Sequence, residues 1–319
     1  MKKILAFILF ALVATSGVYA AGKTAAKTAK TPAKKPTIEF TVIEAADYTS
    51  GKQDAQVTAG LANFLEGTPK VTTLDYQTAQ QDPKLAGLDY SFLPLYLVKK
   101  TPALSKKLEQ HVAAGYVQEN DEYLIFPHLT RTGVYTNKTA KPNVLEIFVM
   151  SQCPYGVMAE GLVINAIKDG KLPADKTVKL RYIVNYDKAN NTFQSLHGSG
   201  EWEEDVRQLL IAKYYPAKLW KYLEIRNKDY RSSRWDKAME EAGINVSKIT
   251  KKFDTEGVEL LKAEAAYGDE YKVNASPTFL WEGKELLDFG TVSQKDGMGF
   301  LNPANAQGPN GAAAPAGSC

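Results

Sequence analysis

Residues 144–156 read VLEIFVMSQCPYG. The first seven, Val144–Met150, are nearly continuous apolar, which is the pattern of a central strand buried on both faces. Ser151-Gln152-Cys153-Pro154-Tyr155-Gly156 then turns polar. Met158, Leu162 and Ala166 follow at four-residue steps, with Val163 and Ile167 beside them, so a helix with one apolar stripe begins there. Pro154 suits its first turn, where a missing N–H costs nothing. The strand therefore delivers Cys153 to a helix N-terminus, whose partial positive charge and free N–H groups favour a thiolate. An exposed, nucleophilic Cys153 with a lowered pKa is expected. The competing reading is a buried, inert cysteine.

Outward from this stretch, Val178–Ile183 reads as a second strand. Helical segments run from about Trp202 to Tyr267. Thr278–Trp281 and Leu286–Phe289 close the half as a hairpin around Glu282-Gly283-Lys284. Pro277 stands at the first position of the hairpin, where a strand tolerates proline, and a cis Ser276–Pro277 bond is expected.

A strand ending in C-P-x-x, a helix, and a distant x-P-T before a hairpin resemble the thioredoxin superfamily. The helical insert is similar to the DsbA-like branch, and SLHGSGEWEEDVRQLL (195–210) resembles the H-G-x-x-E region of the gamma-interferon-inducible lysosomal thiol reductases. The resemblance covers about residues 142–290. It implies that Cys153 is the attacking cysteine of a C-x-x-C motif and that Pro277 is the cis-proline facing it. It also implies that Ser276 offers backbone groups to an extended substrate. Pro154, Tyr155 and Gly156 would line the same site, and His197 falls in the H-G motif, either near the thiol or as a surface or structural histidine. The departure is Gly156: the second cysteine of the motif is absent, so the usual resolving step cannot occur within it.

Residues 37–136 repeat a βα alternation. Ile38–Ile43, Lys70–Asp75, Leu95–Lys99 and Tyr123–Phe126 read as strands, and Val57–Leu65, Gln77–Leu88 and Leu104–Ala114 as helices. Leu93-Pro94-Leu95 matches the proline position, while Tyr48–Gln53 has no cysteine. A non-catalytic thioredoxin-like domain, or an unrelated α/β domain, would fit. Asn137–Pro142 reads as the linker to a second domain at 142–301, so the expected class is α/β, with a thioredoxin-like fold and helical insertion preceded by a second thioredoxin-like unit.

Residues 1–20 read as a signal peptide: Lys2 and Lys3, a short apolar run at Ile4–Val13, and a cut after Ala20. Residues 21–36, AGKTAAKTAKTPAKKP, hold almost no bulky apolar group and read as a flexible tether. Removing the two leader lysines and the five tether lysines from the net charge of +3 leaves −4. A mildly acidic body does not support a nucleic-acid role. No later segment approaches a membrane span, so a periplasmic or secreted chain is expected. The three histidines lack metal-ligand spacing and no cofactor motif is present, so neither metal nor cofactor is expected.

Residues 302–319, NPANAQGPNGAAAPAGSC, read as a flexible tail ending in Cys319, the second of two cysteines. Its coil span of roughly 20–25 Å brings Cys319 within reach of Cys153 as a resolving thiol. An incidental or interchain cysteine is the alternative. Two functions follow. One is monothiol disulfide exchange on cysteine-containing exported proteins or a small thiol, resolved by an outside thiol or by Cys319. The other is a peptide- or partner-binding module with a vestigial site. The sequence leaves client, redox direction and oligomeric state open.

Overall fold

The computed structural model describes residues 35–306 and 317–319. The leader, most of the tether and the middle of the tail lie outside the described residues. In chain order the first half contains β1 (Thr37–Glu44), α1 (Ala55–Phe64), β2 (Thr68–Asp75), α2 (Tyr76–Ala79), β3 (Phe92–Leu93) and β4 (Leu95–Lys99). It continues with α3 (Pro102–Ala113), β5 (Gln118–Glu119), β6 (Tyr123–Phe126) and β7 (Gly133–Tyr135). Asp54 caps α1 by accepting from Gln56 N, and Thr101 caps α3 by accepting from Leu104 N, with Pro102 at its start. The sheet order is β2-β1-β4-β6-β5, with β1 parallel to β2 and antiparallel to β4. β2 is mostly exposed. Its Pro69 and Lys70 are tolerated there because it is an edge strand.

The second half contains β8 (Val144–Val149), α4 (Pro154–Lys168), β9 (Thr177–Tyr182), β10 (Asn185–Asp187) and β11 (Thr192–Gln194). Then come α5 (Ser199–Tyr214), α6 (Leu219–Arg226), α7 (Trp235–Glu241), α8 (Val246–Lys252), α9 (Val258–Glu270), β12 (Thr278–Trp281), β13 (Glu285–Leu287) and α10 (Phe289–Val292). Its sheet runs β3-β7-β13-β12-β8-β9. β8 is parallel to β9 and antiparallel to β12. Each half thus centres on a strand with a parallel neighbour on one side and an antiparallel one on the other. A cis peptide precedes the antiparallel strand in both, at Leu93–Pro94 and Ser276–Pro277. This is the α/β, thioredoxin-like class that the motifs led us to expect.

Three expectations need correction. Asn137–Pro142 does not separate two self-contained sheets. β3 and β7 come from the first half, yet they complete the second sheet, and Phe92 and Tyr135 share a core with Phe148, Tyr271, Leu280 and Leu286. Gln77–Leu88 is not one helix. α2 spans four residues and gives way to turns before Pro83, consistent with the bias against helix ahead of a proline. Ile167 lies outside the buried stripe of α4, exposed to solvent, whereas Leu162, Val163 and Ala166 are in the core.

β8 is buried on both faces, and so is its one charged residue. Glu146 accepts from Arg181 Nε (2.8 Å) and Nη2 (2.6 Å) and from the Tyr267 hydroxyl (2.8 Å). Burial opposes its charge, but the Tyr267 and Arg181 hydrogen bonds outweigh that and hold its carboxyl below the usual range. The tail is held at both described ends. Leu301 and Ala306 are buried in the large second-half core, and residues 317–319 lie against the site described next.

Candidate active site

Cys153 is the N-cap residue of α4. Its backbone is extended (φ −79°, ψ 123°), its N–H donates to Met150 O at 2.9 Å, and its carbonyl accepts from Val157 N at 2.9 Å. Pro154 occupies the first helical position. Contrary to the expectation of an exposed thiol, Cys153 is fully buried, because its sulfur is covered by a partner. Cys153 and Cys319 form a disulfide, with S–S 2.01 Å and Cα–Cα 6.1 Å across 166 residues of chain.

The residue before the cis-proline holds this pair from the other side. Ser276 N donates to Cys319 O (3.2 Å), and Cys319 N donates to Ser276 O (2.8 Å). Cys319 and Ser276 therefore exchange both backbone hydrogen bonds, as one antiparallel residue pair does, and the carbonyl of Ser276 lies 3.4 Å from the Cys153 sulfur. The Ser276 hydroxyl accepts from Met150 N at 2.9 Å, tying the proline turn to the end of β8. Gly156 faces that hydroxyl: a Cβ there would stand 2.7 Å from Ser276 Oγ and 3.1 Å from Met150 O. Tyr155 lies beneath Gly317, and Ser318 Oγ accepts from Arg131 Nη1 at 2.9 Å. Pro277 is buried and borders the groove beside Gly317 and Ser318.

A second layer supports the turn, and the sequence reading missed most of it. Gln152 N donates to Glu201 Oε1 (3.0 Å), and Ser151 N to Asp205 Oδ1 (3.3 Å). Glu201 also meets His197 Nδ1 at 2.7 Å. His197 is thus tied to the loop of Cys153 through a carboxylate. Glu201 and Asp205 are fully buried and four apart, on one face of α5. That spacing was the available signal, but acidic residues at helical spacing read as a solvated face. Burial pushes the Asp205 carboxyl far up from its ordinary value, against the Ser151 hydrogen bond, and its Oδ2 has no partner among the described residues.

Two turns into α4, Glu160 is buried and accepts from Asn227 Nδ2 at 2.6 Å. Burial, opposed by the Asn227 bond and reinforced by Glu204, pushes its carboxyl up to about 8 from 4.5. The folded state therefore holds a proton that the unfolded chain releases at about 4.5. The stabilisation is complete below that pH and is lost as pH rises to about 8. Denaturant titrations should show stability falling by a few kcal/mol across this window. Glu160→Gln should show a shallower slope, whatever its absolute stability. An unchanged slope would remove Glu160 as the source.

Against known proteins, no family model and no curated protein matches this chain. Solved structures do. Over about half its length, the chain is similar to DsbA-type thiol–disulfide oxidoreductases. The DsbA disulfide interchange protein of Klebsiella pneumoniae is 17% identical over 54% of this chain and 89% of its own, with a TM-score of 0.36. BdbD of Bacillus subtilis, in its oxidised form, is 14% identical over 51% and 90%, with a TM-score of 0.39. A Proteus mirabilis DsbA with a non-covalently bound peptide is 14% identical over 54% and 89%, with a TM-score of 0.35. Among the described residues no helix is long and apolar enough to cross a membrane, and no group of three or more His, Cys, Asp or Glu is placed to hold a metal ion.

Proposed function

We propose that this protein performs thiol–disulfide exchange outside the cytoplasm, with Cys153 as the attacking cysteine and Cys319 as its resolving partner. The observation that carries the reading is the Cys153–Cys319 bond at a helix N-terminus, against the Ser276–Pro277 turn. It supplies the second sulfur that Gly156 lacks. The sequence of residues 1–20, with Lys2, Lys3 and the apolar run Ile4–Val13, supports the export part. In the reducing direction, the Cys153 thiolate attacks a substrate disulfide. A Cys153–substrate bond forms and one substrate thiolate leaves. Cys319 thiolate then attacks Cys153 Sγ, forming the internal disulfide and expelling the second substrate thiolate. The substrate gains two electrons and the protein loses two. The oxidising direction is the same sequence reversed.

The backbone pairing at Ser276 also favours a second reading, a peptide-binding module in which the sulfur chemistry is idle. Reduced full-length protein incubated with a cysteine peptide disulfide distinguishes the two. Exchange should be lost completely in Cys153→Ser, with a Cys153–Cys319 bond recovered from the wild type. Peptide binding without exchange in the wild type, or exchange that survives Cys153→Ser, would overturn the enzyme reading.

A further inference from the structure

The three residues at 317–319 form a template for what this site accepts. Cys319 makes both backbone hydrogen bonds with Ser276 and carries its sulfur to Cys153. An incoming peptide that adds a strand here by the same pairing would put its own cysteine where Cys319 lies. Ser318 then marks the residue before the substrate's cysteine, and Gly317 the one before that.

We infer that Arg131 is a specificity-determining residue for the exchange reaction, forming with the adjoining groove a subsite for a carboxylate or hydroxyl side chain immediately before the substrate's cysteine. This rests on the exchange reading above. Arg131 comes from the loop between β6 and β7, in the first half of the chain, and donates to the Ser318 hydroxyl. No ion pair of Arg131 is found among the described residues, so its charge is available to a substrate carboxylate, which a guanidinium fork binds better than a hydroxyl. The groove beside it, ≈ 450 Å³, is walled by Val57, Leu129, Thr132, Pro277 and Phe289 as well as Arg131, so both halves of the chain contribute. One position further back, a Cβ on residue 317 would lie 2.4 Å from Tyr155 Cε1 and Cζ. That position takes glycine unless the Tyr155 ring swings away. The preferred ligand is therefore an extended Gly-Asp-Cys or Gly-Ser-Cys segment. The first half of the chain thereby acquires a role in the reaction, as part of the substrate seat.

The test uses full-length protein carrying Cys319→Ser, so that Cys153 is free. Peptides of the form Gly-Z-Cys, with Z as Asp, Ser or Lys, are capped at cysteine as a mixed disulfide with an aromatic thiol. Cys153 thiolate attacks the peptide sulfur, a Cys153–peptide bond forms, and the aromatic thiolate leaves, so its absorbance reads the rate without net oxidation. At low salt the Asp peptide should react roughly three- to fivefold faster than the Lys peptide, the range expected of an exposed ion pair. Added Arg131→Ala should level the two, and Arg131→Glu should reverse their order. The same peptides with serine for cysteine, followed by fluorescence anisotropy, should rank identically with no chemistry involved. Equal rates for Asp and Lys in the presence of Arg131 would overturn the subsite and leave the exchange reading standing. No thiolate release from any peptide, with the anisotropy ranking intact, would overturn the exchange reading and keep the subsite.

Discussion

Mixed disulfides on Cys153 should outlive those of the wild type by about two orders of magnitude in Cys319→Ser when outside thiols are near ~10 µM. Two nucleophiles compete for one sulfur. A thiol tethered by a short flexible chain acts at an effective concentration on the order of millimolar. Its rate therefore exceeds that of a micromolar outside thiol of similar pKa by about a hundredfold. The structure adds to this comparison, because the tail is more than a free tether. Its backbone pairs with Ser276 through both N–H and carbonyl, and Ser318 is bonded to Arg131, so these bonds draw the tail onto the site as the peptide strand vacates the same seat. The substitution also leaves the Cys153 end of the reaction alone: Pro154, the helix N-terminus and the Glu201 and Asp205 supports of residues 151 and 152 stay in place. Loading Cys153 with a labelled peptide and following loss of the label by mass spectrometry measures the decay. If decay is equally fast in both proteins, Cys319 does not resolve, and the bond to Cys153 is a resting link only.

Much of the site's chemistry was legible because it is local. The apolar run of β8 reads as a strand covered on both faces, and Cys153-Pro154 reads as a helix start, since nearest-neighbour rules govern both. Pro277 could be found because proline has few tolerated places near a strand. What stayed hidden is what depends on distant pairing. β3 and β7 are two and three residues long, too short for any periodicity; β7 is a strand because β13 offers it an edge, and β3 because β7 does. Cys153 read as exposed because its own segment is polar and turn-like. It is buried by a residue 166 positions away. Arg131 sits in an unremarkable loop, and only the fold brings it to Ser318. The buried Glu201 and Asp205 defeat a rule that holds for most acidic helix faces, namely that they point to water. Here they are retained inside by the backbone N–H groups of the turn that holds Cys153.

Gly156→Cys, which would rebuild the C-x-x-C motif, should destabilise the protein instead of providing a second active cysteine, and Gly156→Ala should already cost about 1–3 kcal/mol. The obstacle is the space that Ser276 fills. A Cβ on residue 156 would stand 2.7 Å from Ser276 Oγ, 3.1 Å from Met150 O and 3.3 Å from Val149 Cβ. The last two lie one residue past the end of β8 and at that end, and move only with the sheet. Ser276 Oγ could rotate, but it accepts the Met150 N–H, and losing it would leave a buried donor unpaired at about 1–3 kcal/mol. Alanine is the better helix former by about 1 kcal/mol, which offsets only part of this. A cysteine adds a sulfur to the same crowding, so its penalty is larger. The backbone of Ser276 also seats Cys319, so a shift there should slow formation of the Cys153–Cys319 bond as well. Serine at 276 and glycine at 156 thus fit each other, and a double-mutant cycle tests that fit. Ser276→Ala clears the space at the expense of the Met150 bond, so Gly156→Ala should cost distinctly less in the Ser276→Ala background than alone. Denaturant unfolding of the four proteins gives the coupling. Additive losses, or a Gly156→Cys protein as stable as the wild type in which Cys153 bonds to the introduced cysteine, would show that glycine is not required by this contact.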